Sequence, residues 1–304
     1  MLVLVIIALL ILIYLWSSCL ILYHEKATKL VSDESKCFHE DCKSIVIKQG
    51  SDKAVMMIHG FPTTPAMYSY AARRFKSEGY DVYVPLIPTF GADYKDFEKS
   101  NFSSWYLFLD DYFTKLEKEY KEVYLIGTSM GGAMALRLSE NHNPTAIAVI
   151  AAPVVYNSLF RDHIVTSWSG YIGRIIALFC KAIKPGIVTS KPKSNDGNED
   201  WKGYSGTFPR QGVSLMYGLK ETRKRLGEIK SPMLSIHDKG DKTVPFGNQN
   251  ILRNEVKAES GFIVTEMGDE CHHTHHALLS YKSVQEELTN RIISFFNSHS
   301  EQVH

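Results

Sequence analysis

The apolar run Val123-Tyr124-Leu125-Ile126 leads straight into Gly127-Thr128-Ser129-Met130-Gly131-Gly132. Such a run predicts a strand buried on both faces, and the change of character after it predicts an abrupt end. Small residues two positions to either side of Ser129 let the backbone turn there without a clash between Cβ atoms. The pattern therefore predicts a strand, one residue in a strained turn, and a helix starting immediately behind it. Taken alone, the string also suits a plain Gly/Ser loop, so the rest of the chain has to decide.

The flanking sequence alternates strand and helix. Strands are predicted at Ser44–Ile47, Ala54–Ile58, Asp81–Val84, Ala146–Ile150, Pro232–Ile236 and Phe262–Thr265, with Gly50-Ser51-Asp52 as a turn between the first two. Helices are predicted over Ala66–Ser77, Phe102–Tyr120, Gly131–Asn141, Asn248–Val256 and Ala277–Asn297. This order argues for a mainly parallel sheet covered on both faces. The alternation breaks between Val155 and Gly227, where helical pieces are expected at Tyr171–Ile183 and Val213–Leu226 around a polar loop. So long an interruption is expected to be a cap inserted over the sheet. The resulting division is 44–155 plus 228–297 for the core, 156–227 for the cap and 298–304 for a tail.

Met1 to Tyr23 carries no charged side chain. Roughly 20 apolar residues cross a bilayer as a helix, so 1–23 is expected to be an uncleaved transmembrane anchor, with 24–43 a polar linker. A cleaved signal would need a basic start, which is missing. Lys26, Lys29 and Lys36 all follow the span, and the positive-inside tendency then puts the folded part on the cytoplasmic side. A net charge of +1 provides no footprint for nucleic acid. Cys37 and Cys42 are close enough in sequence to pair in an oxidising compartment, with two free surface thiols the preferred reading.

A serine hydroxyl is a poor nucleophile at neutral pH. It needs an imidazole to take its proton and a carboxylate to orient that imidazole. In an open parallel sheet, functional groups gather at the carboxyl ends of strands. The strand ending at Ile236 runs into His237-Asp238-Lys239-Gly240-Asp241, making Asp241 the candidate acid and Asp238 the alternative. Both aspartates also suit an ordinary turn beside Gly240. The strand ending at Thr265 runs into Cys271-His272-His273-Thr274-His275-His276. His276, directly ahead of an apolar helix start, is the candidate base, with His273 and His275 as alternatives. Metal binding by this cluster is disfavoured, because neighbouring loop residues rarely converge on one ion and nothing elsewhere completes a ligand set. No metal and no cofactor is expected. The amide of Met130, after the nucleophile, is one candidate oxyanion donor. The amide of Phe61, in His59-Gly60-Phe61-Pro62 at the end of an early strand, is the other.

The order Ser129, Asp241, His276, together with His59-Gly60-Phe61 and Val244-Pro245, resembles the α/β-hydrolase superfamily. Within it the chain is similar to small bacterial-type carboxylesterases and monoacylglycerol lipases, related to a serine aminopeptidase-like group. The resemblance covers about 44–297. It implies an α/β-hydrolase fold with an inserted cap, and a serine hydrolase acting on carboxylic esters with an apolar acyl chain. With the anchor expected over 1–23, a membrane-anchored esterase of lipid-like esters is the resulting expectation. The loop Pro85–Gly91 departs from the family by lacking its histidine. An acyltransferase or peptidase using the same triad, and a non-catalytic binding protein, are the alternatives, and the oligomeric state is left open.

Overall fold

The computed structural model describes residues 1–18, 23–156, 172–189, 196, 201–268 and 274–300. The strands are β1 (Ile45–Ile47), β2 (Lys53–Ile58), β3 (Asp81–Val84), β4 (Glu122–Thr128), β5 (Ala146–Ile150), β6 (Ile183–Val188), β7 (Gly203–Thr207), β8 (Met233–Asp238) and β9 (Ser260–Thr265). Seven of them form one sheet in the order β1-β3-β2-β4-β5-β8-β9. Every pairing in it is parallel except β1 with β3. The turn after β1 does not close a hairpin onto β2, because β3 lies between them.

The sheet buries both faces, and β2 shows how. Ala54, Met56 and Ile58 enter one core, Val55 and Met57 the other, as a period of two requires. Helices α4 (Phe102–Glu119), α5 (Met130–Ser139) and α8 (Gly247–Glu255) cover the first face. Helices α2 (Ser69–Ser77) and α9 (Lys282–Ser298) cover the second. A short α3 (Tyr94–Phe97), capped by the Asp93 side chain, was not foreseen. The helix expected from Ala277 begins instead as a 3₁₀ turn at Leu278–Ser280, with α9 proper following Tyr281.

Between β5 and β8 lie α6 (Gly173–Phe179), the antiparallel pair β6–β7, and α7 (Pro209–Arg223). The expected helix through Ile183 is shorter than its apolar pattern suggested. It stops at Phe179, and Ile183 opens β6, where Pro185 could not have continued a helix.

The N-terminal helix α1 spans Leu2–Ser18, 17 residues. At 1.5 Å per residue it reaches ~25 Å, short of the ~30 Å hydrocarbon core. Among the described residues no helix is long and apolar enough to cross a membrane, so the anchor expected over 1–23 is not borne out. Its side chains from Leu2 to Leu12 are nevertheless largely exposed. The segment after it is no free linker. The Glu25 carboxylate accepts from Ser103 N at 2.8 Å and Ser103 Oγ at 2.7 Å, at the start of α4, where a helix leaves amides unsatisfied. Thr28 N donates to Ser104 Oγ at 2.9 Å. Cys37 and Cys42 are unpaired, but Cys42 is wholly buried, which corrects its placement at the surface. Burial also pushes the Cys37 thiol up to about 11.

Candidate active site

Ser129 occupies the turn predicted for it, between β4 and α5, with φ +57° and ψ −124°. A side chain in that region costs on the order of 1–3 kcal/mol and persists only where its surroundings hold it. Ser129 N donates to Ile150 O of β5 at 2.8 Å, and Ser129 O accepts from Gly132 N and Ala133 N in the first turn of α5. Beneath the turn, the Tyr68 hydroxyl donates to Ile58 O at 3.0 Å and meets Thr128 Oγ1 at 2.8 Å. Gly131 presses its Cα against β2 so closely that a Cβ there would overlap Ile58 O.

The two candidate acids take different histidines. His276 Nδ1 lies 2.8 Å from Asp241 Oδ2, whereas His275 Nδ1 lies 3.0 Å from Asp238 Oδ1. His273, with Cys271 and His272, falls outside the described residues. Asp241 Oδ1 accepts from Thr243 N and Val244 N, both at 2.8 Å. On its other side stands His237, to which the sequence assigned no role. His237 Nε2 donates to Val244 O at 2.9 Å and sits 3.4 Å from Asp241 Oδ2. Burial pushes the Asp241 carboxyl upward, but hydrogen bonds from His237 and His276, the His276 charge and the Val244 amide outweigh it and hold it at about 2. Asp241 is thus an anion throughout the working range, fit to fix an imidazole with its proton on Nδ1.

Phe61 follows β2, and Met130 opens α5 directly after Ser129. The Phe61 ring packs on Phe97, Trp105 and Phe90 with centroids 5.4, 6.1 and 6.5 Å away. Further contacts secure this loop. Ile87 N donates to His59 Nε2 at 3.1 Å, which leaves the His59 proton on Nδ1, facing Gly60 O at 3.1 Å. Strand β7 and Lys202 just before it contribute the rest. Tyr204 N donates to Pro62 O at 3.0 Å, Thr63 bridges Gly203, and the Thr63 and Thr64 hydroxyls donate to Lys202 O at 3.0 and 3.1 Å. The Tyr204 hydroxyl donates to Thr89 O at 2.8 Å, and Ala92 N donates to it at 3.1 Å. His59 was foreseen only within the His59-Gly60-Phe61 motif, with no role of its own, and Lys202–Tyr204 not at all. The signal available for His59 was an imidazole at a strand end flanked by apolar sequence.

His59 also carries a pH signature. Complete burial holds its imidazole at about 4, with the Gly60 contact opposing. An unfolded chain takes up this proton near 6.5, the folded one only near 4. The associated stability is therefore fully present above pH 6.5 and is lost as pH falls toward 4, by roughly 3 kcal/mol in all. Thermal melts across this window are expected to fall less steeply for His59→Gln than for wild type. Parallel slopes would refute the assignment.

The chain is similar to several known proteins. A curated thermostable monoacylglycerol lipase of Bacillus sp. (strain H-257) is 25% identical over 247 residues, covering 81% of this chain and 91% of the lipase. A carboxylesterase of Bacillus subtilis (strain 168) is 23% identical over 227 residues, covering 71% and 87%. Among solved structures, one of the metagenome-derived lipolytic enzymes LipS and LipT superposes with a TM-score of 0.70 at 20% identity, covering 86% of this chain and 99% of its own. The Paleococcus ferrophilus monoacylglycerol lipase gives 0.62 at 14%, covering 84% and 98%. These likenesses carry the α/β-hydrolase fold. The family model described as serine aminopeptidase, S33, matches residues 49–276, and the chain belongs to that family.

Proposed function

We propose that the protein is a serine hydrolase of carboxylic esters, with monoacylglycerols and similar lipid-like esters as its preferred substrates. The observation that carries this reading is the 2.8 Å bond between His276 Nδ1 and Asp241 Oδ2, in loops at the same sheet edge as the strained Ser129 turn. With Nδ1 engaged, His276 Nε2 is the nitrogen that takes the Ser129 proton as Oγ attacks the ester carbonyl. The amides of Phe61 and Met130 receive the oxyanion, a contribution of roughly 3 kcal/mol per donor. The imidazolium returns its proton to the leaving alcohol. Water, giving a proton to His276, then attacks the acyl-enzyme, and His276 passes that proton to the departing Ser129 Oγ, leaving fatty acid and free serine. On this reading the insertion between β5 and β8, whose described elements are α6, β6, β7 and α7, serves as the cap. The relatives named as a monoacylglycerol lipase and a carboxylesterase support the ester class.

The reading is tested by presenting purified full-length chain with monoacylglycerols, short soluble esters and aminoacyl amides, with glycerol as a competing acceptor. Fatty-acid release is expected, with kcat/KM for a long-chain monoacylglycerol exceeding that for an acetyl ester at least tenfold. Turnover of aminoacyl amides alone would make it a peptidase. Predominant acyl transfer to glycerol would make it a transferase.

A further inference from the structure

Asp238 and His275 form a second acid–imidazole couple that the proposed chemistry does not use. Asp238 closes β8 and is entirely buried. It accepts four hydrogen bonds: from Gly240 N at 2.8 Å and His275 Nδ1 at 3.0 Å on Oδ1, and from Thr265 Oγ1 at 2.8 Å and Met267 N at 2.9 Å on Oδ2. Four donors leave the carboxyl no role but that of an acceptor. Through them it gathers the end of β8, the end of β9 and the segment that carries His276. His275 itself is buried and has φ +56°, a left-handed conformation unusual for a residue with a Cβ. This reversal sends consecutive imidazoles to different carboxylates, His275 to Asp238 and His276 to Asp241. Thr274 O, next in the chain, accepts from Lys242 N at 3.0 Å, so the acid loop and the base segment also meet through backbone.

We propose that Asp238 and His275 are positioning residues for the base: their bond holds the left-handed turn that delivers His276 to Asp241. Neither touches the reacting atoms. The proposal rests on reading His276 as the base. Once the His275 bond is lost, the backbone relaxes from φ +56° and His276 swings off Asp241.

Three variants at position 275 test it. Asparagine keeps an amide donor near the Nδ1 position and tolerates the left-handed conformation. Glycine permits the conformation but supplies no donor to hold it, and alanine neither supplies the donor nor favours the conformation. A misplacement on the order of 1 Å costs roughly a hundredfold in rate. His275→Gly and His275→Ala are therefore expected to lower kcat by about that factor with KM changed less than twofold, and His275→Asn to recover at least tenfold of the loss. Wild-type kcat in His275→Gly would overturn the proposal, as would equal losses in the asparagine and glycine variants. Should His275→Ala not fold, the asparagine–glycine pair decides alone. His276→Ala separates the two readings. If fluorophosphonate labelling survives in His276→Ala, the base assignment falls; if labelling is lost there while His275→Gly turns over normally, only the positioning role falls.

Discussion

Ser129→Ala is expected to abolish covalent labelling by a fluorophosphonate probe and to lower ester turnover by roughly ten-thousandfold or more. The loss should appear without loss of fold, since alanine keeps the Cβ and meets the same backbone cost at φ +57° that serine already bears. Ser129→Gly offers a sharper contrast. It removes the Cβ from a backbone conformation that glycine adopts freely, so it should be equally inactive yet more stable by about 1 kcal/mol. Probe labelling and a thermal melt on the two variants read both quantities. Retained labelling in Ser129→Ala would sink the mechanism.

The largest expected loss of stability comes from one methyl group. A Cβ on Gly131 overlaps the carbonyl oxygen and carbon of Ile58, which are strand backbone and cannot rotate away. Gly131→Ala must therefore push α5 off β2, and is expected to cost about 3 kcal/mol or more, or roughly 10 °C in melting temperature. Turnover should fall with it, because Met130 and Ser129 ride on the same helix start. Gly212→Ala in α7, where nothing lies within 4 Å, is the control and should be neutral or slightly stabilising. A melting temperature for Gly131→Ala within 2 °C of wild type would contradict the packing described.

What the sequence revealed is largely what short stretches decide. The strands Asp81–Val84 and Ala146–Ile150 stand where their apolar runs put them, and the Ser129 turn is legible because glycines on both sides leave little else to build. Partner choice is another matter. Asp241 and His276 are 35 positions apart and Asp238 and His275 are 37 apart, and nothing local says which imidazole meets which carboxylate. The β6–β7 pair was missed because Ile183-Lys184-Pro185-Gly186 neither alternates nor favours a strand; its pairing is imposed by β7. The N-terminal apolar stretch is not borne out as an anchor: among the described residues no helix is long and apolar enough to cross a membrane.

The bonds from Lys202 and β7 to Pro62, Thr63 and Thr64 tie residues inserted between β5 and β8 to the loop that follows β2. At Gly203 a Cβ would collide with Pro62 O, so the contact is backbone on backbone and specifies register rather than side-chain chemistry. On the function proposed above, the other faces of the inserted residues can change without disturbing the loop that carries Phe61, provided that seam keeps its alignment. The same holds at the bench. A hairpin transplanted from a relative to alter chain-length preference must be spliced in frame with Gly203, or it will change the rate of the chemistry before it changes the choice of substrate.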